Sequence, residues 1–146
     1  MTVYWREPVR PEWIDYNGHL SEAYYVLVLG HATDAVMEAV GLGAGYRDRA
    51  HASLFTVEAH VRYLDQVPAG CELEVRSEVV GVRDRLLWLW HELHADGRLR
   101  ATEEVLGVHV DTVAGRSTPL PDDVRVRAEA ACVPLPEHAG RAIALP

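Results

Sequence analysis

No lysine occurs in the chain: all 14 basic residues are arginine, outweighed by 22 Asp and Glu to a formal charge of -8 and a pI near 5.4. There is no basic stripe of the kind that neutralises phosphates, which argues against a general nucleic-acid partner. Cysteine is scarce too. Cys71 and Cys132 stand far apart and in no metal-ligand spacing, so no disulfide framework holds the chain and a reducing compartment suits it. His60, His91, His94 and His109 fall in strand-like segments with no His-Glu-x-x-His, and no metal is expected. A Gly-x-Ser-x-Gly elbow is missing, which removes the serine-hydrolase reading. Gly41-Leu42-Gly43-Ala44-Gly45 follows a helical pattern instead of opening one, so it is no phosphate loop. The longest apolar run, Ala23 to Gly30, is far short of the roughly 18 residues of a membrane span. The first eight residues lack the charged-then-apolar order of a signal peptide. The expectation is a cytoplasmic protein with neither a membrane nor a nucleic acid among its partners.

What is present fits one domain of ordinary globular composition, 146 residues with 49% hydrophobic and 25% charged. Tyr4 to Ile14 reads as a first strand, kinked by Pro8 and Pro11 and placed at a sheet edge, because proline cannot donate to a ladder. Asp15-Tyr16-Asn17-Gly18-His19 is turn chemistry. Ser21 is an N-cap for a helix from Glu22 to Val40, closed by Gly41-Leu42-Gly43. That helix is apolar nearly all round in its first half, so something must wrap it. Gly43 to Ala50 reads as a connector. From Ser53 the period becomes two, with Phe55, Val57, Ala59, Val61 and Tyr63 on one face and Thr56, Glu58, His60 and Arg62 on the other. Three more alternating segments follow, joined by short turns that include the hairpin signal Asp96-Gly97. One strand, one long helix and four strands in a meander make a two-layer α+β domain, with a long central helix wrapped by a five-stranded antiparallel sheet. The domain proper covers 1–115; 116–146 is a Pro/Ala-rich extension lying over its surface, with about one helical turn near Asp122 to Ala130.

The chemistry concentrates in Trp13-Ile14-Asp15-Tyr16-Asn17-Gly18-His19-Leu20-Ser21-Glu22-Ala23-Tyr24-Tyr25. A carboxylate stands in a turn just before a helix N-terminus, whose unpaired N–H groups favour developing negative charge. Such a carboxylate can attack a carbonyl or activate water while the helix amides hold the oxyanion. Asp15 and Asn17 as mere turn formers is the competing reading. This stretch resembles the hotdog-fold acyl-CoA thioesterases of the 4-hydroxybenzoyl-CoA type, on Asp-x-x-Gly-His-Leu followed by Ala-x-Tyr at the head of a long apolar helix. The resemblance covers about residues 3 to 112, and Phe55 to Leu64 reads like the strand that follows the helix in that family. Within the family, Trp13 to Tyr25 and His31-Ala32-Thr33-Asp34-Ala35 are most similar to thioesterases of carnitine breakdown, which act on betainyl-CoA.

The resemblance implies that Asp15 is the catalytic acid, that the amide around Glu22 polarises the thioester carbonyl, and that Gly18 and His19 are the loop's Gly-His pair. Relatives often carry two Asn where this chain has Ser21 and Glu22. The Glu22 side chain either adds a second carboxylate to the site or serves the helix dipole. Catalytic residues are therefore expected at Asp15, Glu22 and His19, and substrate contacts at Trp13, Tyr16, Asn17, Gly18, Tyr24, Tyr25 and Glu58. Glu58 on a solvated strand face is the alternative for that residue. Tyr and Trp faces hold quaternary ammonium groups by cation–π attraction, which suits a trimethylammonium acyl group; core and interface packing explains the same aromatics. Arg62, Arg83 or Arg85 would have to meet the coenzyme A phosphates. No cofactor is expected, since coenzyme A is part of the substrate. A homodimer or dimer of dimers is implied, joined sheet edge to sheet edge with sites shared across the interface. Alternatives are a non-catalytic acyl-CoA binder, or a hotdog hydratase, whose Asp-x-Asn-Pro-x-His this chain does not match.

Overall fold

In the computed structural model, residues 1–140 and 143–145 are described; Arg141, Ala142 and Pro146 of the expected extension lie outside the described residues. The elements are β1 (Val3–Pro8), a 3-10 turn (Pro11–Trp13), α1 (Glu22–Val40), α2 (Ala44–Ala50), β2 (Ala52–Tyr63), β3 (Glu72–Arg83), β4 (Leu86–Ala95), β5 (Arg98–Asp111), β6 (Arg116–Ser117) and α3 (Asp122–Ala131). The strands form one antiparallel sheet in the order β1-β3-β4-β5-β2, with the two-residue β6 added alongside β5. The expected α+β hotdog architecture is present. The first strand is shorter than expected, because Pro11 starts a 3-10 turn that interrupts the extended run toward Ile14. The Gly43–Ala50 connector contains the short helix α2.

α1 starts at Ser21 and ends at Gly41, whose φ of +95° suits glycine; Gly41 and Leu42 N–H donate back to Glu38 O and Met37 O. Tyr25, Val28, Leu29, Ala32, Val36, Met37 and Val40, three and four residues apart, form its buried face. It lies on β1, β3 and β4, and touches β5 and β2 only slightly. Val26 and Leu27 on its other side are exposed.

The buried residues fall into two groups. One joins Tyr25, Val28, Leu29 and Ala32 to Leu73, Val75, Leu93 and Ala101. The other joins Val36, Met37 and Val40 to Val79, Leu87, Leu89, Val105 and α3. Between them runs a polar row across the inner face: Ser77 on β3, His91 on β4 and Glu103 on β5, which are cross-strand partners. His91 Nδ1 is 2.7 Å from Ser77 Oγ and its Nε2 is 3.0 Å from Thr33 Oγ1. Thr33 donates to Leu29 O, so its oxygen accepts from Nε2–H, and Ser77 donates to Nδ1. Burial holds the imidazole pKa down to about 4 and keeps it neutral.

Two expectations change. α3 is a ten-residue helix, longer than the single turn expected, and it buries Val124, Ala128 and Ala131 in the second core. The extension thus belongs to the core as well as to the surface. On β2, the register slips between Thr56 and Glu58. This β-bulge inserts Val57 and reverses the faces beyond it. Ala59, Val61 and Tyr63 then stand opposite Val105, Glu103 and Ala101 on the inner face, while Phe55, opposite Val108, is on the outer one. Glu58, opposite Leu106, is also turned outward.

Candidate functional site

The loop between the 3-10 turn and α1 closes on itself. Ser21 N–H donates to Trp13 O (2.9 Å), Asp15 N–H to His19 O (2.9 Å) and Gly18 N–H to Asp15 O (3.0 Å). Gly18 takes φ +79°, a conformation that L side chains resist, which explains a glycine there. Leu20 is buried, and its N–H donates to Val67 O, tying the loop to the β2–β3 connection. Asn17 N–H donates to Asp15 Oδ1 at 2.8 Å. That bond orients the carboxylate and leaves Oδ2 without a protein donor among the described residues. A turn-forming role and a chemical role therefore coexist in Asp15, one oxygen for each.

The start of α1 lies beside this loop. Ser21 occupies the N-cap position, yet its side chain makes no capping bond. Among the described residues, the N–H groups of Glu22 and Ala23 have no protein acceptor. They are the positive end of a 19-residue helix. Asp15, Asn17, His19, Glu22 and Tyr25 line one open cleft of about 510 Å³. Five of the expected residues thus converge, and Gly18 shapes their loop.

The other expected residues are placed elsewhere. Trp13 is 5% exposed; Tyr24 stacks on it at 5.4 Å, and the Arg10 guanidinium sits 5.3 Å from its ring centre. Trp13 belongs to the first core cluster with Tyr24 packed against it, so both act as packing groups. Tyr16 is 98% exposed at the tip of the turn. Glu58 is carried to the outer face by the bulge in β2. Arg85 pairs with Asp84 and donates to Ser117, while Arg83 borders a hollow on the outer face of the sheet.

Sequence reasoning missed the far wall of the cleft, formed by Tyr63, Leu64, Asp65 and Gln66 at the end of β2. Tyr63 meets Tyr25 edge to face at 5.1 Å, and its hydroxyl donates to Glu22 O at 3.4 Å. Burial, then the Glu22 and Glu103 carboxylates, push the Tyr63 hydroxyl pKa up. Burial raises that of Tyr25, which donates to Asp65 O at 3.2 Å. The wall is anchored by Arg100, which is buried and reaches Asp65 Oδ2 (2.8 Å) and Gln66 O (2.7 Å). The signal for these residues was the position of a strand end facing a helix start, which requires the topology. Glu103 was also missed, although its signal is local: it breaks the inner-face run Ala101, Glu103, Val105. No cluster of His, Cys, Asp and Glu able to hold a metal occurs among the described residues.

The thioesterase-like superfamily matches residues 9–128. The chain belongs to that superfamily. A betainyl-CoA thioesterase of Pseudomonas aeruginosa is 40% identical over 153 residues, covering 100% of this chain and 96% of the relative. The L-carnitine dehydrogenase/betainyl-CoA thioesterase of Agrobacterium fabrum is 43% identical over 90% of this thioesterase, which spans 28% of that longer protein. Among solved structures, a hypothetical protein of Staphylococcus aureus in complex with CoA superposes with a TM-score of 0.91 at 24% identity, covering 100% of this chain and 96% of that one, a likeness of fold. A candidate thioesterase of Pseudomonas putida KT2440 superposes with a TM-score of 0.82 at 34% identity over 97% and 95% of the two chains. The expected enzyme class, an acyl-CoA thioesterase of the hotdog fold, is borne out. No single helix among the described residues is long and apolar enough to cross a membrane.

Proposed function

We propose that this thioesterase hydrolyses betainyl-CoA, or a CoA thioester of a similarly small cationic acid, with Asp15 as the reacting carboxylate. The observation that carries the reading is one cleft lined by a half-tethered carboxylate and by Glu22, the first residue of a helix whose first two N–H groups are unpaired. Asp15 Oδ2 either attacks the thioester carbonyl or takes a proton from the water that does. In both routes a C–O bond forms, negative charge collects on the carbonyl oxygen, and the C–S bond then breaks, with coenzyme A leaving as the thiolate. The Glu22 and Ala23 amides and the α1 dipole stabilise that oxygen. Direct attack leaves an Asp15 anhydride that water hydrolyses; activated attack releases the acid at once. The surrounding carboxylates favour a cationic acyl group by Coulomb attraction in a partly dry cleft.

The test is a panel of acyl-CoAs with a thiol reagent that reports free coenzyme A. Betainyl-CoA is cleaved with kcat/KM at least roughly tenfold above its neutral isostere 3,3-dimethylbutyryl-CoA, the equivalent of ~1.4 kcal/mol. Equal rates would show that charge is not read.

Support for a homodimer comes from β2, a 12-residue strand at an open edge, flanked by exposed Val57, Tyr63, Leu64 and, on α1, Val26 and Leu27. Long apolar edges invite pairing with another chain, and two β2 edges joined antiparallel bring both clefts to the junction. Light scattering then gives at least twice the 16.3 kDa of one chain; an active monomer overturns it. Two unpaired cysteines and a CoA thioester substrate favour the cytoplasm as the place of work.

A further inference from the structure

Adjacent glutamates on β5 are both nearly buried, Glu103 at 4% exposure and Glu104 at 8%. Glu104 faces outward and is fully engaged: it accepts from Trp88 Nε1 (3.2 Å) and Gly140 N–H (2.8 Å), and lies 3.4 Å from His60 Nδ1. Glu103 faces inward and, among the described residues, makes no hydrogen bond and no ion pair. Buried carboxylates without a partner are costly, so an unmatched one points to a partner that arrives from outside.

Its surroundings say what that partner is. Glu103 stands opposite Val61, and Tyr63 opposite Ala101, so Glu103 and Tyr63 are diagonal neighbours on one face, a spacing of roughly 7–8 Å that side chains bridge easily. Tyr63 is itself part of the cleft wall, paired edge to face with Tyr25. α1 packs mainly on β1, β3 and β4, not on β5. In a betainyl thioester the ammonium nitrogen is only two bonds from the carbonyl carbon, so the cation must be read beside the reacting bond. A trimethylammonium group offers no N–H to a hydrogen-bond acceptor. It is recognised by an anion at close range and by aromatic faces.

We propose that Glu103, beneath the Tyr25–Tyr63 pair, is the residue that reads the positive charge of the acyl group. This inference rests on the betaine reading above. Glu103 takes no part in bond making; it supplies the counter-charge to the ammonium group, and neutral acyl groups gain nothing from it.

The experiment measures kcat/KM for betainyl-CoA and 3,3-dimethylbutyryl-CoA with wild type and Glu103→Gln, alongside thermal melts. The expected result is a loss of roughly tenfold or more for betainyl-CoA in the variant, with the neutral thioester within about twofold of wild type. A wild type that prefers betainyl-CoA and a folded variant that keeps the preference overturn the role of Glu103 alone. Equal losses on both thioesters also overturn it, because they mark a general or structural role. A wild type with no preference sinks the betaine reading and this inference with it. Should Glu103→Gln fail to melt cooperatively, the wild-type pH profile decides. The titratable neighbours of Glu103 on the sheet are Tyr63 on β2 and His91 on β4, and Glu22 at the head of α1 acts on the same Tyr63 hydroxyl. Burial keeps Tyr63 protonated and His91 neutral near pH 7, and a Glu22→Gln background removes the third. The betainyl-to-neutral ratio rises with pH across neutrality as Glu103 ionises; a flat ratio overturns the proposal.

Discussion

The two ends of α1 are built from the same helix and the same sheet, yet they are finished differently. At its C-terminal end Val36, Met37 and Val40 are enclosed by β3, β4 and α3. There Tyr46 Oη lies 2.8 Å from His109 Nε2 while His109 Nδ1 donates to Thr118 O at 3.0 Å, so even the polar groups are matched. At its N-terminal end two amides and one oxygen of Asp15 are left unpaired, and Asp15 and Glu22 line an open cleft. Stability is concentrated where everything is paired, and chemistry where pairing is withheld. An unpaired group is informative only against such a background: Glu103 stands out because its neighbour Glu104 is satisfied.

The comparison can be broken in four places. Asp15→Asn is nearly isosteric and keeps the Oδ1 acceptor for Asn17, so the melt stays as in wild type while kcat falls by roughly 10²–10⁴-fold with little change in binding; near wild-type turnover removes Asp15 from the reaction. Leu89→Ala at the enclosed end does the reverse. It costs about 2–5 kcal/mol of stability, read by denaturant unfolding, and leaves the rate per folded molecule alone. A drop in that rate would show that the two ends are mechanically coupled.

Glu103 separates the ends by pH. Burial raises its pKa from 4.5 to about 7. Below 4.5 both folded and unfolded chains hold the proton and nothing is lost. As pH rises, the unfolded chain ionises first, so the native state loses stability until about 7 and the loss is complete above it. At about 1.4 kcal/mol per unit the full loss is roughly 3 kcal/mol. Glu103→Gln should therefore match wild type at pH 4 and exceed it at pH 8; a constant difference across the range contradicts an ionising buried Glu103. The smallest effect is at Ser21. Because its side chain caps nothing, Ser21→Ala should cost less than about 0.5 kcal/mol, at or below the low end for N-caps. A loss of 1 kcal/mol or more would mean that the hydroxyl engages the helix in solution.

Much of this was legible in the sequence. Ser21 and Gly41 bound α1 as expected, Gly41 through its local positive-φ cap, although the Ser21 hydroxyl makes no capping bond. Asp96-Gly97 makes the hairpin, both residues at positive φ (52° and 71°). The Asp15 turn was legible because the bonds that shape it, Asn17 N–H to Asp15 Oδ1, Gly18 N–H to Asp15 O and Asp15 N–H to His19 O, join residues less than five apart. The misreadings have other physical causes. On β2 every second residue from Phe55 to Tyr63 is apolar, so nothing marks the bulge at Val57, which only pairing with β5 reveals. α3 was underestimated because Val124, Ala128 and Ala131 are small and become a core face only once β3 lies beneath them. The sequence marks Trp13 as an aromatic but not its stacking on Tyr24, which needs α1 folded back against the loop. The Tyr63–Gln66 wall is likewise distant from Asp15 in sequence.

The row of Ser77, His91 and Thr33 across the middle of the inner face acts as a bulkhead. Its hydrogen bonds are directional, so it resists being shifted in a way that interlocking methyl groups do not. Side chains on the Asp15 side, such as Val61 or Tyr63, can therefore be enlarged or trimmed to admit a different acyl group, while the packing around Val36 and Leu89 stays in place. The groove of this enzyme is a module that can be refitted from one side.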